Sequence, residues 1–255
     1  MSIALITGGA IGLGRSFANK LADEGYDLIL VSRSLDHLAR AQKEIQIKYK
    51  VKVLIYIADL TKREDREKMF EYAKVYQPSV IVNNAGFGHN ESFISSPLEK
   101  EFEMINLNVK ALHHIMKYYY QQFKTENIPG RIINISSVAG FVPGAYQATY
   151  YATKSYVTSL TRAVAYESKK QQTGIQIQVV CPGPIKTNFH ETAQTRVEAY
   201  KKSPDATARI ALESKKTVIV PGFSNKCAHV MLKLLPNGLT IRAQAILGKK
   251  KQIKK

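Results

Sequence analysis

Cysteine is scarce in this chain: there are only two among 255 residues, Cys181 and Cys227. A small secreted protein that depends on disulfides uses more, so the pair predicts no disulfide framework. Apolar runs of about 18 residues are also missing, which argues against a membrane-spanning helix. The start, MSIALITGGAIGLG, lacks a basic n-region and a small-residue cleavage site, so we expect no signal peptide. These absences predict a reduced, cytoplasmic protein.

Acidic residues are outnumbered, with 20 Asp and Glu against 37 Lys and Arg, and the formal net charge is +17. The imbalance is concentrated after Lys201, where Asp205 and Glu213 are the only acids and the chain ends in GKKKQIKK. A basic surface attracts anionic lipid or nucleic acid. The aromatic residues of a single-strand binding groove are not interleaved here, so we expect no nucleic-acid partner. Peripheral membrane contact by the basic C-terminus and a merely solvated tail both stay open.

Short apolar runs alternate with longer segments of helical period along the chain. The strand-like runs are Ile3–Ile6, Asp27–Val31, Val51–Ile57, Val80–Val82, Arg131–Ile135, Ile175–Val180 and Thr217–Val220. The helical segments are Gly14–Glu24, Leu35–Tyr49, Lys62–Tyr76, Leu98–Phe123, Ala148–Lys170 and Asp205–Ser214. Continuously apolar strands are buried on both faces, and β-α alternation predicts a parallel sheet between helices. We expect one α/β domain with a doubly wound parallel sheet (a Rossmann fold) over residues 1–222, and a basic helical extension over 223–255.

A glycine-rich turn follows the first strand in ITGGAIGLGRSFA, where Gly8, Gly12 and Gly14 form the pattern G-x-x-x-G-x-G. Glycines at such a turn let the backbone approach a pyrophosphate at the N-terminus of the next helix. No Gly-Lys-Ser/Thr follows, which excludes an NTPase P-loop. The turn therefore predicts dinucleotide binding, with an ordinary strand–helix turn as the alternative.

The end of the second strand bears on the choice of dinucleotide. NAD-binding proteins place a carboxylate about 20 residues beyond the glycines, where it binds the ribose hydroxyls. Here Ser32 and Arg33 stand at that place. A guanidinium binds a 2′-phosphate through charge-assisted hydrogen bonds, which favours NADP(H) over NAD(H). The alternative is a surface arginine at the start of a helix. Asp59 in IYIADL is interpreted either as a partner of the adenine edge or as an acid near the next helix N-terminus.

Six motifs in order resemble those of the short-chain dehydrogenase/reductase family: TGGAIGLG, NNAG, INLNVKA, NISSVAG, YYATK and CPGPIKT. The resemblance covers Ile3 to Gly222. It implies a catalytic site made of a serine, a tyrosine and a lysine, assisted by an asparagine: Ser137, Tyr150, Lys154 and Asn108. The spacing of the family motifs places the serine at Ser137 and not Ser136, and the tyrosine at Tyr150 and not Tyr151. The candidate cofactor-binding residues are Thr7, Gly8, Gly12, Leu13, Gly14, Ser32, Arg33, Asp59, Leu60, Asn84, Ala85, Gly86, Tyr150, Lys154, Pro182, Gly183, Ile185 and Thr187.

The chemistry of the lysine and tyrosine residues is consistent with these roles. A free tyrosine has a pKa near ~10, and a neighbouring ammonium favours tyrosinate. Lys154 follows Tyr150 by one helical turn, so we expect it to lower the pKa of that tyrosine. Tyr156 lies two residues beyond Lys154 and faces away. In the family the serine stabilises the substrate oxygen, and the asparagine holds a water in a proton relay to the lysine.

Other polar residues near the expected site receive more modest interpretations. Cys181 is interpreted as a core residue, and His89 and His190 as pocket lining without a chemical role. Residues 188–204 are the expected substrate lid. No His, Cys or Asp spacing suggests a metal site, so we expect none.

The sequence as a whole predicts an NADP-dependent oxidoreductase. We expect hydride transfer between nicotinamide and a carbonyl or secondary alcohol, in a reductase of a hydrophobic ketone or 3-oxoacyl-type substrate. One alternative is a catalytically silent NADP(H)-binding regulatory protein, and another is an epimerase or dehydratase built on the same dyad. The resemblance also implies a homodimer or homotetramer that assembles through the helices preceding and carrying the Tyr-Lys pair.

Overall fold

A single parallel sheet of seven strands organises the protein in a computed structural model, which describes residues 2–185, 203–222, 225–226, 238–242 and 245–246. The strands are β1 (Ile3–Thr7), β2 (Asp27–Ser32), β3 (Val53–Ile57), β4 (Val80–Asn83), β5 (Arg131–Ile135), β6 (Gln176–Val180) and β7 (Val218–Ile219). Their spatial order is β3-β2-β1-β4-β5-β6-β7, and every pairing is parallel. The chain direction across the sheet therefore reverses between β1 and β4. This is the place where doubly wound sheets bind ligands, outside the carboxyl ends of the strands.

Helices connect the strands. They are α1 (Gly12–Asp23), α2 (Leu35–Tyr49), α3 (Arg63–Lys74), α4 (Leu98–Ile105), α5 (Leu112–Thr125), α6 (Ala148–Lys170) and α7 (Pro204–Glu213). A π-helical segment, Asn106–Ala111, joins α4 to α5, and a 3₁₀ turn, Val138–Phe141, precedes α6. The sequence-based prediction of one doubly wound α/β domain is confirmed.

The core lies on both faces of the sheet because successive strand residues point to opposite sides. Ala4 and Ile6 pack with α1, α2 and α7 on one face, where Phe17, Leu38 and Ala208 are fully buried. Leu5 packs on the other face in the core formed with α3 and α5. Sandwiching between helices explains why these strands are apolar throughout instead of alternating.

One predicted helix is wrong as a single element. The segment Leu98–Phe123 is interrupted by the π-helical turn at Asn106–Ala111. Such a turn inserts one residue into a helix and changes the backbone bonding locally, and it occurs often at functional sites. Helical periodicity on either side is preserved, so the sequence pattern did not reveal it.

Several expectations lie outside the described residues. These are Thr187, His190, Cys227, all but the last two residues of the predicted lid at 188–204, and most of the extension at 223–255. Within the described part of the chain, no helix is both long and apolar enough to cross a bilayer.

Arg131 joins the sheet to the last helix. Its Nη1 donates to the Leu212 carbonyl at 2.9 Å, and its Nη2 donates to the Ala211 carbonyl at 2.9 Å and the Ser214 carbonyl at 3.2 Å. Its Nε donates to Gln178 Oε1 at 2.8 Å. A helix leaves its last carbonyls without internal partners, and a cation there is favourable. Arg131 therefore fixes the C-terminus of α7 and the path of the chain into β7.

We predict that Arg131→Ala lowers the free energy of unfolding by about 2–4 kcal/mol, because several partly buried carbonyls lose their charged donor. Chemical denaturation followed by circular dichroism measures the change. Arg209→Ala, at an exposed position of α7, serves as the control and is expected to change stability by less than about 0.5 kcal/mol. Equal effects of the two substitutions would contradict the anchoring role.

Candidate active site

The ends of β1 and β4 are fastened together at the reversal point of the sheet. The backbone N–H groups of Asn84 and Ala85 donate to Thr7 Oγ1 at 3.0 and 3.1 Å. In return Asn84 Nδ2 donates to the carbonyls of Thr7 at 3.1 Å and Gly8 at 3.2 Å. Thr7 and Asn84 were predicted as cofactor residues. Their side-chain bonds hold the two loops in register, so they support the backbone at the reversal point of the sheet.

The glycine turn forms a cradle that only glycine permits. Gly8 and Gly12 have φ values of +63° and +57°, in the left-handed region that L residues rarely adopt. A Cβ on Gly14 would collide with the Gly8 carbonyl. At the N-terminus of α1, Ile11 makes no side-chain capping bond and the first turn has no acidic residue. The open helix N-terminus and the close backbone approach fit the pyrophosphate of a dinucleotide.

The residues beyond β2 and β3 form the side of the site expected to face the adenosine. Arg33 is exposed, and its Nη1 pairs with Glu103 Oε1 of α4 at 3.2 Å. Ser32 Oγ accepts from the Ser34 N–H at 3.4 Å. The carbonyl of buried Leu60 accepts from Arg66 Nη1 at 2.6 Å. These contacts fix the local backbone and leave the Arg33 guanidinium at the surface.

Asp59 is engaged within its own loop. Its Oδ1 accepts from the N–H and the hydroxyl of Thr61 at 3.1 and 2.8 Å. Burial raises the pKa of Asp59, but the hydrogen bonds from Thr61 and the positive charge of Arg33 outweigh burial and lower it overall. Asp59 therefore forms part of the turn that leads into α3.

The two neighbouring serines after β5 have different surroundings. Ser136 is buried, and its hydroxyl donates to the Lys154 carbonyl at 2.8 Å and contacts Thr158 Oγ1 at 2.7 Å. The hydroxyl of Ser137 lies near enough to Tyr150 to lower the pKa of that tyrosine. It also lies 3.4 Å from the Pro182 carbonyl and accepts from the Ala139 N–H at 3.1 Å. Ser136 therefore packs the helix, while Ser137 faces Tyr150.

Tyr150 and Lys154 are both buried one turn apart on α6, with Lys154 Nζ 5.8 Å from the centre of the Tyr150 ring. Lys154 Nζ donates to the Ile135 carbonyl at 3.0 Å. Burial lowers the pKa of Lys154 to about 8, against an ordinary value of 10.5. Burial also raises the pKa of Tyr150, while the Ser137 hydroxyl opposes that rise. The expected lowering of the tyrosine pKa is wrong for this structure, because burial raises that pKa and Lys154 is not among the groups that shift it.

Asn108 lies in the π-helical segment and is held on both sides of its amide. Its Nδ2 donates to the Phe87 carbonyl at 2.8 Å and to Thr153 Oγ1 at 3.2 Å, and its Oδ1 accepts from the Phe87 N–H at 3.0 Å. A Cβ on Gly86 would approach Asn108 Oδ1 to 2.8 Å and Lys154 Nζ to 3.6 Å. Gly86, Asn108 and Lys154 therefore meet at one point.

The other tyrosines of the motif segment face elsewhere. The hydroxyl of Tyr156 lies 2.7 Å from His113 Nδ1 on α5, away from Lys154 as predicted. Tyr151 lines a cavity of about 500 Å³. The cavity is formed by residues 140–145, by one face of α6 and by Ile241. Its walls are mostly apolar, and the ring of Tyr151 meets that of Tyr150 edge to face at 6.1 Å.

The segment after β6 passes beside the serine. Pro182 accepts from the Val138 N–H at 3.0 Å, and a Cβ on Gly183 would meet the side chain of Asn225. Ile185 is buried at the limit of the described segment. Cys181 is a core residue as predicted, and burial raises the pKa of its thiol to about 12.

The family is decided by a match to a sequence-family model. The model for short chain dehydrogenase matches residues 2–198 of this chain. The chain belongs to the short-chain dehydrogenase/reductase family. It is therefore an oxidoreductase acting on CH–OH or carbonyl groups, as predicted.

Individual relatives agree with the family. Dehydrogenase/reductase SDR family member 11 of Gallus gallus is 33% identical over 193 residues, 73% of this chain and 76% of the relative. Very-long-chain 3-oxoacyl-CoA reductase of Anas platyrhynchos is 30% identical over 229 residues, 88% of this chain and 71% of the relative. A solved short-chain dehydrogenase from Sphingobium yanoikuyae in complex with NADPH is 27% identical, with a TM-score of 0.84 and coverage of 94% and 95% of the two chains.

Some supporting residues of this short-chain dehydrogenase/reductase were not found from the sequence. Thr153 contacts Asn108, Thr158 contacts Ser136, and the backbone of Phe87 binds Asn108. Threonines inside a helix bond to carbonyls within the same helix, and Thr158 does so with Lys154 at 2.9 Å. Thr153 follows Tyr150 by three residues, and Thr158 follows Lys154 by four. These spacings were the signal in the motif that could have identified both threonines.

The buried ammonium of Lys154 generates a stability prediction. Below about pH 8 both the folded and the unfolded chain hold the proton, so folding bears the full cost of about 3 kcal/mol implied by the lowered pKa. As the pH rises from 8 toward the ordinary 10.5, the folded state releases the proton first and this cost disappears. Lys154→Met should therefore raise the free energy of unfolding at about pH 7 by roughly 1–3 kcal/mol, and the gain should shrink by about pH 10.

Urea denaturation at several pH values, without added nucleotide, measures this gain. Lys169→Met, at an exposed position of the same helix, is the control and should show little dependence on pH. A Lys154→Met protein that is less stable than the wild type, or a gain that does not change with pH, would contradict the prediction.

Proposed function

We propose that this protein is an NADP-dependent reductase of a hydrophobic ketone or 3-oxoacyl-type substrate, with Tyr150 as the general acid. The observation that carries the proposal is the placement of Ser137 beside Tyr150, whose pKa it lowers, on the same site as the buried Lys154. These groups lie at the carboxyl edge of the sheet, as does the glycine cradle. A proton donor, a hydroxyl to orient a carbonyl, and a dinucleotide site together match carbonyl reduction.

The proton chemistry follows from the surroundings of Tyr150. When bound, the nicotinamide supplies the hydride. Because burial raises the pKa of Tyr150, the phenol is protonated at neutral pH and can donate to the alkoxide oxygen that forms. The Ser137 hydroxyl donates to the same oxygen, and the ammonium of Lys154 stabilises the tyrosinate left behind. A tyrosine that begins protonated fits the reductive direction.

Asn108 is assigned a positioning role in this mechanism. Its Nδ2 donates to Phe87 and Thr153 and its Oδ1 accepts from Phe87, so its side chain holds the loop after β4 against α6. The π-helical turn around it changes the backbone bonding beside Lys154. We propose that a backbone carbonyl of this turn, rather than the side-chain amide, accepts from the water that replenishes the proton.

Arg33 supports the preference for NADP(H). It occupies the place of the ribose-binding carboxylate of NAD-dependent proteins, and its guanidinium is exposed for a 2′-phosphate. The solved Sphingobium yanoikuyae protein contains NADPH. The guanidinium also pairs with Glu103 at 3.2 Å, which connects Arg33 to α4.

The hydrophobic substrate is supported by the walls around the tyrosine. Tyr150 packs with Phe87, Met104 and Val142, and Phe141 packs against the same group. The cavity lined by Tyr151 provides further apolar surface nearby. One relative is named as a very-long-chain 3-oxoacyl-CoA reductase. Apolar walls with a single acid–base centre suit an extended aliphatic or ring-shaped ketone.

A homo-oligomer is part of the proposal. Phe102 on α4 and Tyr156 and Tyr166 on α6 are large exposed side chains on the helices that precede and carry the Tyr-Lys pair. Exposed aromatic residues of this kind are enriched at interfaces. Assembly through these helices would cover them.

We predict that Tyr150→Phe lowers kcat by about 10³-fold or more, because the proton donor is removed. NADPH binding should change by less than about threefold, since the ring and the cradle remain. Tyr151→Phe is the matched control and should retain most of the wild-type rate. Initial rates of NADPH oxidation with a panel of ketones, aldehydes and β-ketoacyl thioesters measure these effects. A wild-type protein that binds NADPH and reduces none of the panel would instead favour a regulatory NADP(H)-binding protein.

We predict that Arg33→Ala weakens NADPH binding by about 10- to 100-fold, because the 2′-phosphate loses its guanidinium partner. NADH binding should change by less than about threefold. Arg40→Ala, at an exposed position of α2, is the control and should affect neither nucleotide. Calorimetric titration of each protein with both nucleotides tests the assignment, and an equal loss for NADPH and NADH would count against it.

A further inference from the structure

Consecutive buried side chains after β4 carry hydrogen-bonding atoms without partners. His89 and Asn90 are 5% and 6% exposed. Within the described part of the chain, Nδ1 of His89 and both amide atoms of Asn90 make no hydrogen bond, and neither does the buried Oγ of Ser96. These four atoms are half of the eight unpartnered buried side-chain atoms found among the described residues. A buried polar atom without a partner is costly, so a cluster of them indicates a group that binds there.

The cluster lies close to the acid–base centre in the fold. Phe87, two residues before His89, is bound through its backbone to Asn108, and it packs in the group that contains Tyr150. The chain is therefore fixed on one side of His89 and Asn90 by the catalytic region itself.

The chemistry of the two side chains restricts the bound group. His89 Nε2 lies 3.0 Å from Glu91 Oε2, and an ionised carboxylate only accepts, so the ring donates from Nε2. In the neutral ring Nδ1 is then an acceptor. Asn90 offers an acceptor and a donor side by side. A hydroxyl group can donate its one proton to His89 Nδ1 and accept from Asn90 Nδ2, so it satisfies one atom of each side chain. The carboxylate of Glu91 behind the ring disfavours an anionic group in the same place.

We propose that His89 and Asn90 bind a hydroxyl group of the substrate at a distance from the carbonyl that is reduced. The substrate class is then an uncharged hydroxylated ketone with an otherwise apolar skeleton. This inference rests on the proposed reductase function. It assigns His89, interpreted from the sequence only as pocket lining, a direct part in substrate recognition.

A series of medium-chain methyl ketones tests the proposal, with a hydroxyl group moved stepwise along the chain. The unsubstituted ketone and a carboxylated analogue complete the series. NADPH oxidation by the wild-type protein should favour one hydroxyl position over the unsubstituted ketone by about 10-fold or more in kcat/KM, mainly through KM, because the contact is remote from the reacting atoms. The carboxylated analogue should be the poorest substrate of the series.

The variants His89→Phe and Asn90→Leu should abolish this preference, since each replaces a partner of the hydroxyl with an apolar group of similar size. Asn90→Ala is the second variant if Asn90→Leu fails to fold. Ser95→Ala is the control in the same segment, because the Ser95 hydroxyl bonds to Ser92 at the surface. This control should keep the wild-type preference.

Three results would overturn the proposal: no preferred hydroxyl position, a preference that survives in both variants, or an equal loss for the unsubstituted and hydroxylated ketones. The second would leave only water as the partner of these atoms, and the third would show a purely structural role. In each case the reductase itself stands. Calorimetric titration of the same ketones into the protein with NADP⁺ gives a readout independent of turnover. If turnover fails but the hydroxylated ketone binds more tightly to the wild type than to Asn90→Leu, the proposed function falls and the binding site stands.

Discussion

The paired hydrogen bonds between the side chain of Asn108 and the backbone of Phe87 connect the parts of this protein that act together. One partner belongs to the loop after β4, and the other to the π-helical turn between α4 and α5. The amide of Asn108 accepts from the N–H of Phe87 and donates to its carbonyl, which are the same two bonds that a neighbouring β-strand would make with that residue. The same amide reaches Thr153 on α6. The loop after β4 and helix α6 therefore have one common support.

This support lies beside two ionisable side chains, Lys154 and Tyr150, for which burial disfavours the charged form. Lys154 and Tyr150 are both buried, and burial moves their pKa values in opposite directions, toward the neutral form of each. Burial therefore opposes the charged form of each group, although Lys154, with a pKa of about 8, still keeps its proton at neutral pH. The arrangement lowers the stability of the fold locally. The cost is offset by the packed sheet core and by tertiary anchors such as Arg131.

The strands and most helices were predictable because their signals are local. Continuous apolar runs gave all seven strands to within one or two residues, and glycine placement gave the turn after β1. The catalytic register was also recognisable, because serine, tyrosine and lysine occupy fixed places in a motif. Sequence alone could not show the π-helical turn, since the extra residue leaves the periodicity on both sides intact. Nor could it show the direction of the tyrosine pKa shift, which depends on burial by residues distant in the chain.

The sequence by itself determined the α/β architecture, the glycine-rich turn after β1 and the family, because each depends on residue types at short, fixed spacings. The tertiary structure decided which neighbour of each similar pair faces the site. Ser136 bonds to α6 while Ser137 meets Tyr150, and Tyr156 turns to His113. It also decided that His89 and Asn90 are buried without partners, because burial is set by elements that come together only in the folded chain.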